Sequence, residues 1–451
     1  MTDVFRVDDT HVAVPDNRWD LADGTGSCPT VSVIVPYYDQ PAQLSLVLTA
    51  LAAQHYPLER VDVVVADDGS AVAPDVERWR TDLSISVVTQ EDKGFRAAAA
   101  RNLGAHASTG QVLCFLDADT VPTPDYIRHA VRLPSLVPDA LVVGRRKHAD
   151  LSDITESAVL QWITAQDESG HDREPVWLVD GYVRTSNLLE PGWDGYMYVL
   201  SAVMTCSRAL FDAVGGFDES FVQYGGEDWE FANRAFMMGA VLAYEPAALA
   251  WHDGPDWGER EVSDRVSRKN HEALALSRLV TDPAARTSGL RYRIPDIVAL
   301  VDTDGHSAAS LAVTIASIVD GYDCAVWLSG ASASELFDAL GLEDSRIRLG
   351  EPEFDTMARC RFVLDVRGRI EFSSSTLATL TTDVRPGGYG RVEVECGSAS
   401  VTLTASRAVH RARRWADGSE IDLLEQLFGV ARLDASEVGI TVRTEEPWLA
   451  W

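Results

Sequence analysis

Cysteine is scarce in this chain: Cys28, Cys114, Cys206, Cys324, Cys360 and Cys396 are scattered over 451 residues, with no CxxC pair and no clustered histidines. That spacing excludes a disulfide framework and a zinc-ribbon type of site. Long apolar runs are also lacking. No stretch of about 18 apolar residues occurs, so no membrane-spanning helix is expected. The first residues, MTDVFRVDDTHV, have no basic region followed by an apolar one, so no secretory leader is read there and a cytoplasmic protein is expected. Basic residues are outnumbered, 39 Lys and Arg against 69 Asp and Glu, for a net charge of −30. A nucleic-acid partner or electrostatic attachment to anionic lipid is thereby disfavoured. An anionic substrate would need its own local positive charge, from a divalent cation and a few arginines.

The composition, 46% hydrophobic and 24% charged, is that of globular protein. Length gives roughly two to three domains. The working division is an N-terminal extension over 1–29, a first domain over 30–258, a helical connection over 259–293 and a second domain over 294–451. From Val31 short β-branched runs alternate with helical ones: VSVIVP, PAQLSLVLTALAAQ, VDVVVAD, VAPDVERWR, SISVVTQ, RAAAARNLGAHAS and QVLCFLDAD. Strand and helix alternating at this spacing predict right-handed βαβ units on a parallel sheet. Ligands bind such sheets at the carboxyl ends of the strands. The polar residues collect there: Tyr37-Tyr38-Asp39, Asp67-Asp68-Gly69-Ser70, Lys93-Gly94 and Asp117-Ala118-Asp119.

Asp117 and Asp119 form a DXD motif closing an apolar strand. Two carboxylates this close repel, and a hard divalent ion such as Mg²⁺ or Mn²⁺ resolves the repulsion. The plainer account is that Asp119 caps the next segment. Asp68 follows the second strand, where Asp and Gly also suit an ordinary turn. Gly94 allows close backbone approach, and Arg96 and Arg101 are either nucleotide contacts or solvated cations. In GGFDESFVQYGGEDWEF, Glu227 and Asp228 open a helix directly after Gly225-Gly226. One carboxylate near an acceptor hydroxyl can serve as general base while the other binds a sugar. Acids at a helix start are also favoured by its dipole, which does not account for the two glycines. His252 ends an apolar run and is either a structural histidine or a third metal ligand. Trp193, Tyr196, Trp229 and Trp257 are candidate platforms for a sugar acceptor, or else core.

Together VSVIVPYYD, VVVADDGS, GFRAAAARNLGA, VLCFLDADTVP, GGFDESF and GGEDWEF resemble the family 2 glycosyltransferases with a GT-A fold, over Thr30 to Asp256. GGEDWEF looks most like the chondroitin-polymerase-like and galactosyltransferase-like members. The resemblance implies an α/β, Rossmann-like mixed sheet and inverting transfer from a nucleotide-diphosphate sugar, here a UDP-sugar. It implies a saccharide, peptide or small-molecule acceptor. It places Pro36, Tyr38, Asp39, Asp68, Gly94, Arg96, Arg101, Asp117 and Ala118 at the nucleotide sugar, and Asp119 and His252, with Asp117, at the metal. Asp228 is implied as the base, with Glu227 beside it.

A second alternating block begins near Ile294 and echoes the first in the same order, so a duplication is read. In that reading Asp365 falls on Asp117 and Arg367 on Asp119. An arginine cannot ligate a cation, so residues 294–451 are expected to form a degenerate GT-A-like domain that binds acceptor, mediates self-association into a homo-oligomer, or stabilises the enzyme. Two rivals stand beside the transferase. A sugar nucleotidyltransferase would carry a Gly-rich basic loop after the first strand, where PYYDQPAQ stands. A non-catalytic nucleotide- or sugar-binding protein would not need Asp119, Asp228 and His252.

Overall fold

The structure is a computed structural model that describes residues 3–24, 26–171, 173–254, 265–287 and 289–449. It divides into two compact units, one of residues 3–235 with 240–276, the other of 236–239 with 277–449.

Besides a short pair, Phe5–Arg6 with Val12–Ala13, the first unit has the strands β1 (Val31–Tyr37), β2 (Val61–Asp67), β3 (Ser84–Thr89), β4 (Val112–Leu116), β5 (Thr120–Pro122), β6 (Ala140–Ala149), β7 (Val203–Ser207) and β8 (Val241–Asp253). These eight form one sheet in the order β3-β2-β1-β4-β7-β6-β8-β5. β1 to β4 are parallel, as the alternation predicts. The sheet becomes mixed beyond them, because β7 runs antiparallel to both β4 and β6, and β5 antiparallel to β8. Every residue of β4 is buried, as is nearly all of β1, the mark of strands covered on both faces. Helix α1 (Pro41–Ala52) starts with Pro41 in its first turn, where a missing N–H costs nothing, and buries Leu44, Val47, Leu48 and Leu51. Helix α2 (Ala97–Ala107) lies tight on the sheet: a Cβ on Gly104 would stand 2.5 Å from Ile34 Cγ2. The segment VAPDVERWR, read as helical, forms only a single 3-10 turn over Glu77–Trp79, anchored by buried Trp79.

The stretch before β1 contributes to this unit's core. Val14 and Ala22 pack with Leu133, Val137, Val142 and Val241. Buried Asn17 donates to the carbonyls of Leu188 and Leu242 at 2.6 and 2.8 Å.

The second unit contains β9 (Ile297–Asp302), β10 (Cys324–Ser329), β11 (Ile347–Leu349), β12 (Phe362–Arg367), β13 (Ile370–Phe372), β14 (Arg391–Cys396), β15 (Ala399–Ala405), β16 (Val430–Asp434) and β17 (Ile440–Val442). Its main sheet runs β11-β10-β9-β12-β15-β14-β16, with β13 pairing antiparallel to β17. Strand for strand this repeats the first unit, with β16 and β17 together standing for the long β8. The register corrects the sequence alignment of the copies. Val31 pairs with Val112 in the first unit and Ile297 with Phe362 in the second. Arg367 therefore takes the place of Asp117, and Arg369 that of Asp119, while Asp365 lies two residues earlier on the strand. A slip of two leaves each side chain on the same face, so the apolar pattern does not reveal it.

Candidate functional site

The parallel strands β1, β2 and β4 end at one edge, where Pro36, Asp68, Asp117, Ala118 and Asp119 line a cleft of about 400 Å³. Asp119 and His252 meet on its wall through the β5–β8 pairing. Thr120 stands opposite His252 in the ladder, and Asp253 N–H donates to Asp119 O at 2.8 Å. His252 Nδ1 is 3.2 Å from Asp119 Oδ1 and 3.2 Å from Thr120 Oγ1. Burial opposes the Asp119 charge, but His252 and Thr120 outweigh it and hold its pKa below the usual carboxylate value.

Asp117 is turned to Arg101, whose Nη2 donates to its Oδ1 at 2.8 Å. Arg101 is 3% exposed, and its Nη1 donates to Glu227 Oε1 at 3.0 Å. Burial alone would disfavour the guanidinium charge, yet the two carboxylates raise its pKa. The next residue, Asn102, latches the turn at Gly215-Gly216: its amide donates to Phe217 O and accepts from Phe217 N–H, at 2.9 and 2.8 Å.

Helix α4 (Glu227–Met237) begins in a second recess of about 180 Å³ that shares Phe95, Arg101, Asp117, Arg146 and Tyr224 with the cleft. Asp228 lines it and accepts from Trp229 N–H at 2.8 Å. Desolvation, reinforced by the Glu227 charge beside it, pushes its carboxyl up to about 7. Glu227 Oε2 is buried with no hydrogen-bond partner among the described residues. Gly225 and Gly226 have φ of +92° and +96°. Cβ atoms there would meet Glu272 Oε2 at 3.0 Å and Phe221 Cε1 at 2.9 Å, so the turn needs glycine twice. Glu272 lies on helix α5 (Arg265–Leu279) and accepts from Lys269 Nζ at 2.7 Å.

Tyr38 and Gly94 line the cleft. Asp68 accepts from Gln90 Nε2 and Arg96 N–H at 2.6 and 2.8 Å, with Arg96 Nη2 3.5 Å from its other oxygen. Asp39 is exposed at the rim, with φ +47°, and braces the turn after β2 by accepting from Ala71 N–H at 3.2 Å. Trp229 lines the second recess; Trp193 lines neither, and Trp257 lies outside the described residues. The sequence reading passed over Phe95, Arg146, Trp177, Tyr224, Lys269 and Glu272. Only Phe95 and Tyr224, each next to a motif glycine, carried a local signal.

Among the described residues no three His, Cys, Asp or Glu side chains are grouped to enclose a metal. Asp119 and His252 offer one oxygen and one nitrogen ligand facing an open cleft. That donor set would suit a divalent cation such as Mg²⁺ or Mn²⁺. At the corresponding places of the second unit stand Arg369 and, opposite Ile370 in the β13–β17 ladder, Val442.

Residues 32–185 match the model of glycosyl transferase family 2, and 193–245 that of the N-terminal domain of galactosyltransferase. The hyaluronan synthase of Pasteurella multocida is 30% identical over 53% of this chain and 26% of its own length. The chondroitin synthase of Escherichia coli is 26% identical over 78% of this chain and 52% of its own. The validoxylamine A glucosyltransferase of Streptomyces hygroscopicus subsp. jinggangensis is 30% identical over 56% and 60%. The chain thus spans about half the length, or less, of the synthases it matches. The family model runs over the strands that build the cleft, and the galactosyltransferase model covers the acidic helix beside it, so the part of the chain that forms both recesses is similar to the family 2 glycosyltransferases.

Proposed function

We propose that the first unit is an inverting glycosyltransferase, moving a sugar from a nucleoside-diphosphate donor, with uridine as the nucleoside, to a saccharide, peptide or small-molecule acceptor. The observation that carries this reading is the pairing of two neighbouring recesses. One bears Asp68, Asp119 and His252; the other bears Asp228, whose carboxyl is tuned to about 7. A base with that pKa is about half ionised at neutral pH and still strong enough to accept a proton.

Asp68 and Tyr38 hold the nucleoside at the strand ends. Asp119 and His252 would hold a divalent cation, Mn²⁺ or Mg²⁺, which would supply positive charge against that of the departing diphosphate. Asp228 takes the proton of the acceptor hydroxyl as its oxygen bonds to the anomeric carbon. The bond to the diphosphate oxygen breaks, and its electron pair leaves with the nucleotide. Glu227, with one oxygen on Arg101 and the other unpaired, orients a sugar hydroxyl. Arg101 ties Asp117 on the donor side to Glu227 on the acceptor side and acts by positioning both.

We read the second unit as non-catalytic, supported by Arg367, Arg369 and Val442 at the places of Asp117, Asp119 and His252. No helix among the described residues is long and apolar enough to cross a membrane. The cysteines are all free and all but Cys28 are buried, which fits the reducing cytoplasm.

The test is release of UDP from UDP-sugars in the presence of Mn²⁺, with and without EDTA, and with candidate acceptors added. Nucleotide binding without turnover under every combination would replace this reading with that of a binding protein.

A further inference from the structure

Beside the acceptor recess lies a third depression of about 560 Å³, lined by His148, Arg173, Glu174, Pro175, Val176, Trp177 and Asp180, which no step of the transfer uses. One residue is common to its wall and to that of the recess holding Asp228: Trp177. This indole lies in the first turn of helix α3 (Val176–Arg184), is 42% exposed, and meets Trp229 edge to face with ring centroids 6.4 Å apart. Large aromatic side chains left open to solvent in a concave surface offer flat apolar faces suited to the ring faces of sugars.

The outer depression is built in advance. Arg145, 8% exposed, donates through Nε to Glu174 at 3.0 Å and through Nη1 to Glu168 O at 2.8 Å, fixing the loop in front of α3. Arg173, on that loop, is held at φ +68°, a left-handed conformation that a non-glycine residue keeps only where its surroundings impose it.

On these grounds, and resting on the transferase reading, we infer that the acceptor is an extended saccharide bound across two adjoining subsites. Its terminal ring lies in the recess of Asp228 and Trp229. The following rings pass over Trp177 into the depression of Arg173 and His148. The inner recess, at 180 Å³, has room for a single ring, whereas the outer one is three times as large, so affinity should grow with chain length.

Calorimetric titration of the full chain, loaded with UDP and Mn²⁺, with chondroitin and hyaluronan tetrasaccharides and their matching disaccharides tests this. A tetrasaccharide is expected to bind about tenfold more tightly than its disaccharide, and loss of the Trp177 face in Trp177→Ala to remove about three- to tenfold of that advantage. Arg173→Ala, remote from the inner recess, is expected to weaken only the tetrasaccharide and serves if Trp177→Ala folds poorly. Equal affinity for both lengths, binding of neither, or an intact length advantage in both variants would overturn the inference. UDP release measured in parallel separates the two ideas: a length advantage without donor turnover leaves the groove standing and removes the transferase reading, while turnover without a length advantage does the reverse.

Discussion

Arg101 Nη1 lies 3.0 Å from Glu227 Oε1, with both side chains almost fully buried, so that a helix laid on the donor side of the sheet is bonded to the first residue of the acidic helix. Removing one partner of such a pair leaves the other charge buried and uncompensated, a loss of about 3–5 kcal/mol. Arg101→Met is therefore expected to destabilise the first unit by that amount, and Arg101→Met combined with Glu227→Gln by clearly less than the sum of the single changes. Urea unfolding of the four proteins of the cycle measures it; additive effects would mean that the pair does not couple the two walls.

With Asp228 proposed as the base, its titration is expected to set the pH dependence. With a carboxyl raised to about 7, kcat/KM should climb as pH rises through that value and level off above it. Asp228→Asn should lower the rate about 10²–10⁴-fold and flatten that limb. Stability should move the opposite way: above pH 7 the folded protein must ionise a desolvated acid, so Asp228→Asn should raise the melting temperature more at pH 8 than at pH 5. An unchanged acid limb in the variant would assign the base elsewhere.

Metal dependence follows from Asp119 and His252. EDTA should stop UDP release and Mn²⁺ or Mg²⁺ restore it, whereas Asp119→Ala should not recover at any metal concentration. A readout free of turnover is thermal stabilisation by UDP with Mn²⁺: at a hundredfold excess over Kd it should reach about 2.7 kcal/mol in the parent. In Asp119→Ala and His252→Ala it should shrink sharply, and equal stabilisation of all three proteins would place the cation elsewhere.

The second copy should tolerate loss of its arginines. Arg367→Ala and Arg369→Ala are expected to leave the transfer rate within about twofold, as for substitutions away from a reacting centre. Arg369 does bond Gly305 O at 2.9 Å and Glu446 Oε2 at 3.0 Å, so a small drop in melting temperature is expected for that variant. A folded but inactive Arg367→Ala protein would show that the second unit takes part in the chemistry.

Much of this architecture could be read before any coordinates. The apolar runs ending in Asp68 and Asp117 gave the parallel strands and the edge at which they open, because continuous burial and an abrupt polar stop both leave marks in sequence. Gly225-Gly226 before two acids located the second recess. What could not be read depended on distance along the chain. His252 reaches Asp119 only through the β5–β8 ladder, and Arg101 finds Glu227 only once α2 and α4 are packed. Trp177 and Arg146 sit in segments whose local pattern resembles ordinary amphipathic structure. The two-residue slip between the copies was invisible because strand periodicity repeats every second residue.

Replacement of the Asp117 and Asp119 positions by Arg367 and Arg369 also has a thermodynamic consequence. Asp117 and Asp119 hold their charge at the mouth of the cleft only with Arg101 and His252 beside them, a burden that natural active sites carry for the sake of function. The second copy keeps the scaffold and has shed that burden. Without ligand, the first unit should be the one that opens first on heating, and metal with nucleotide should narrow the gap between the two.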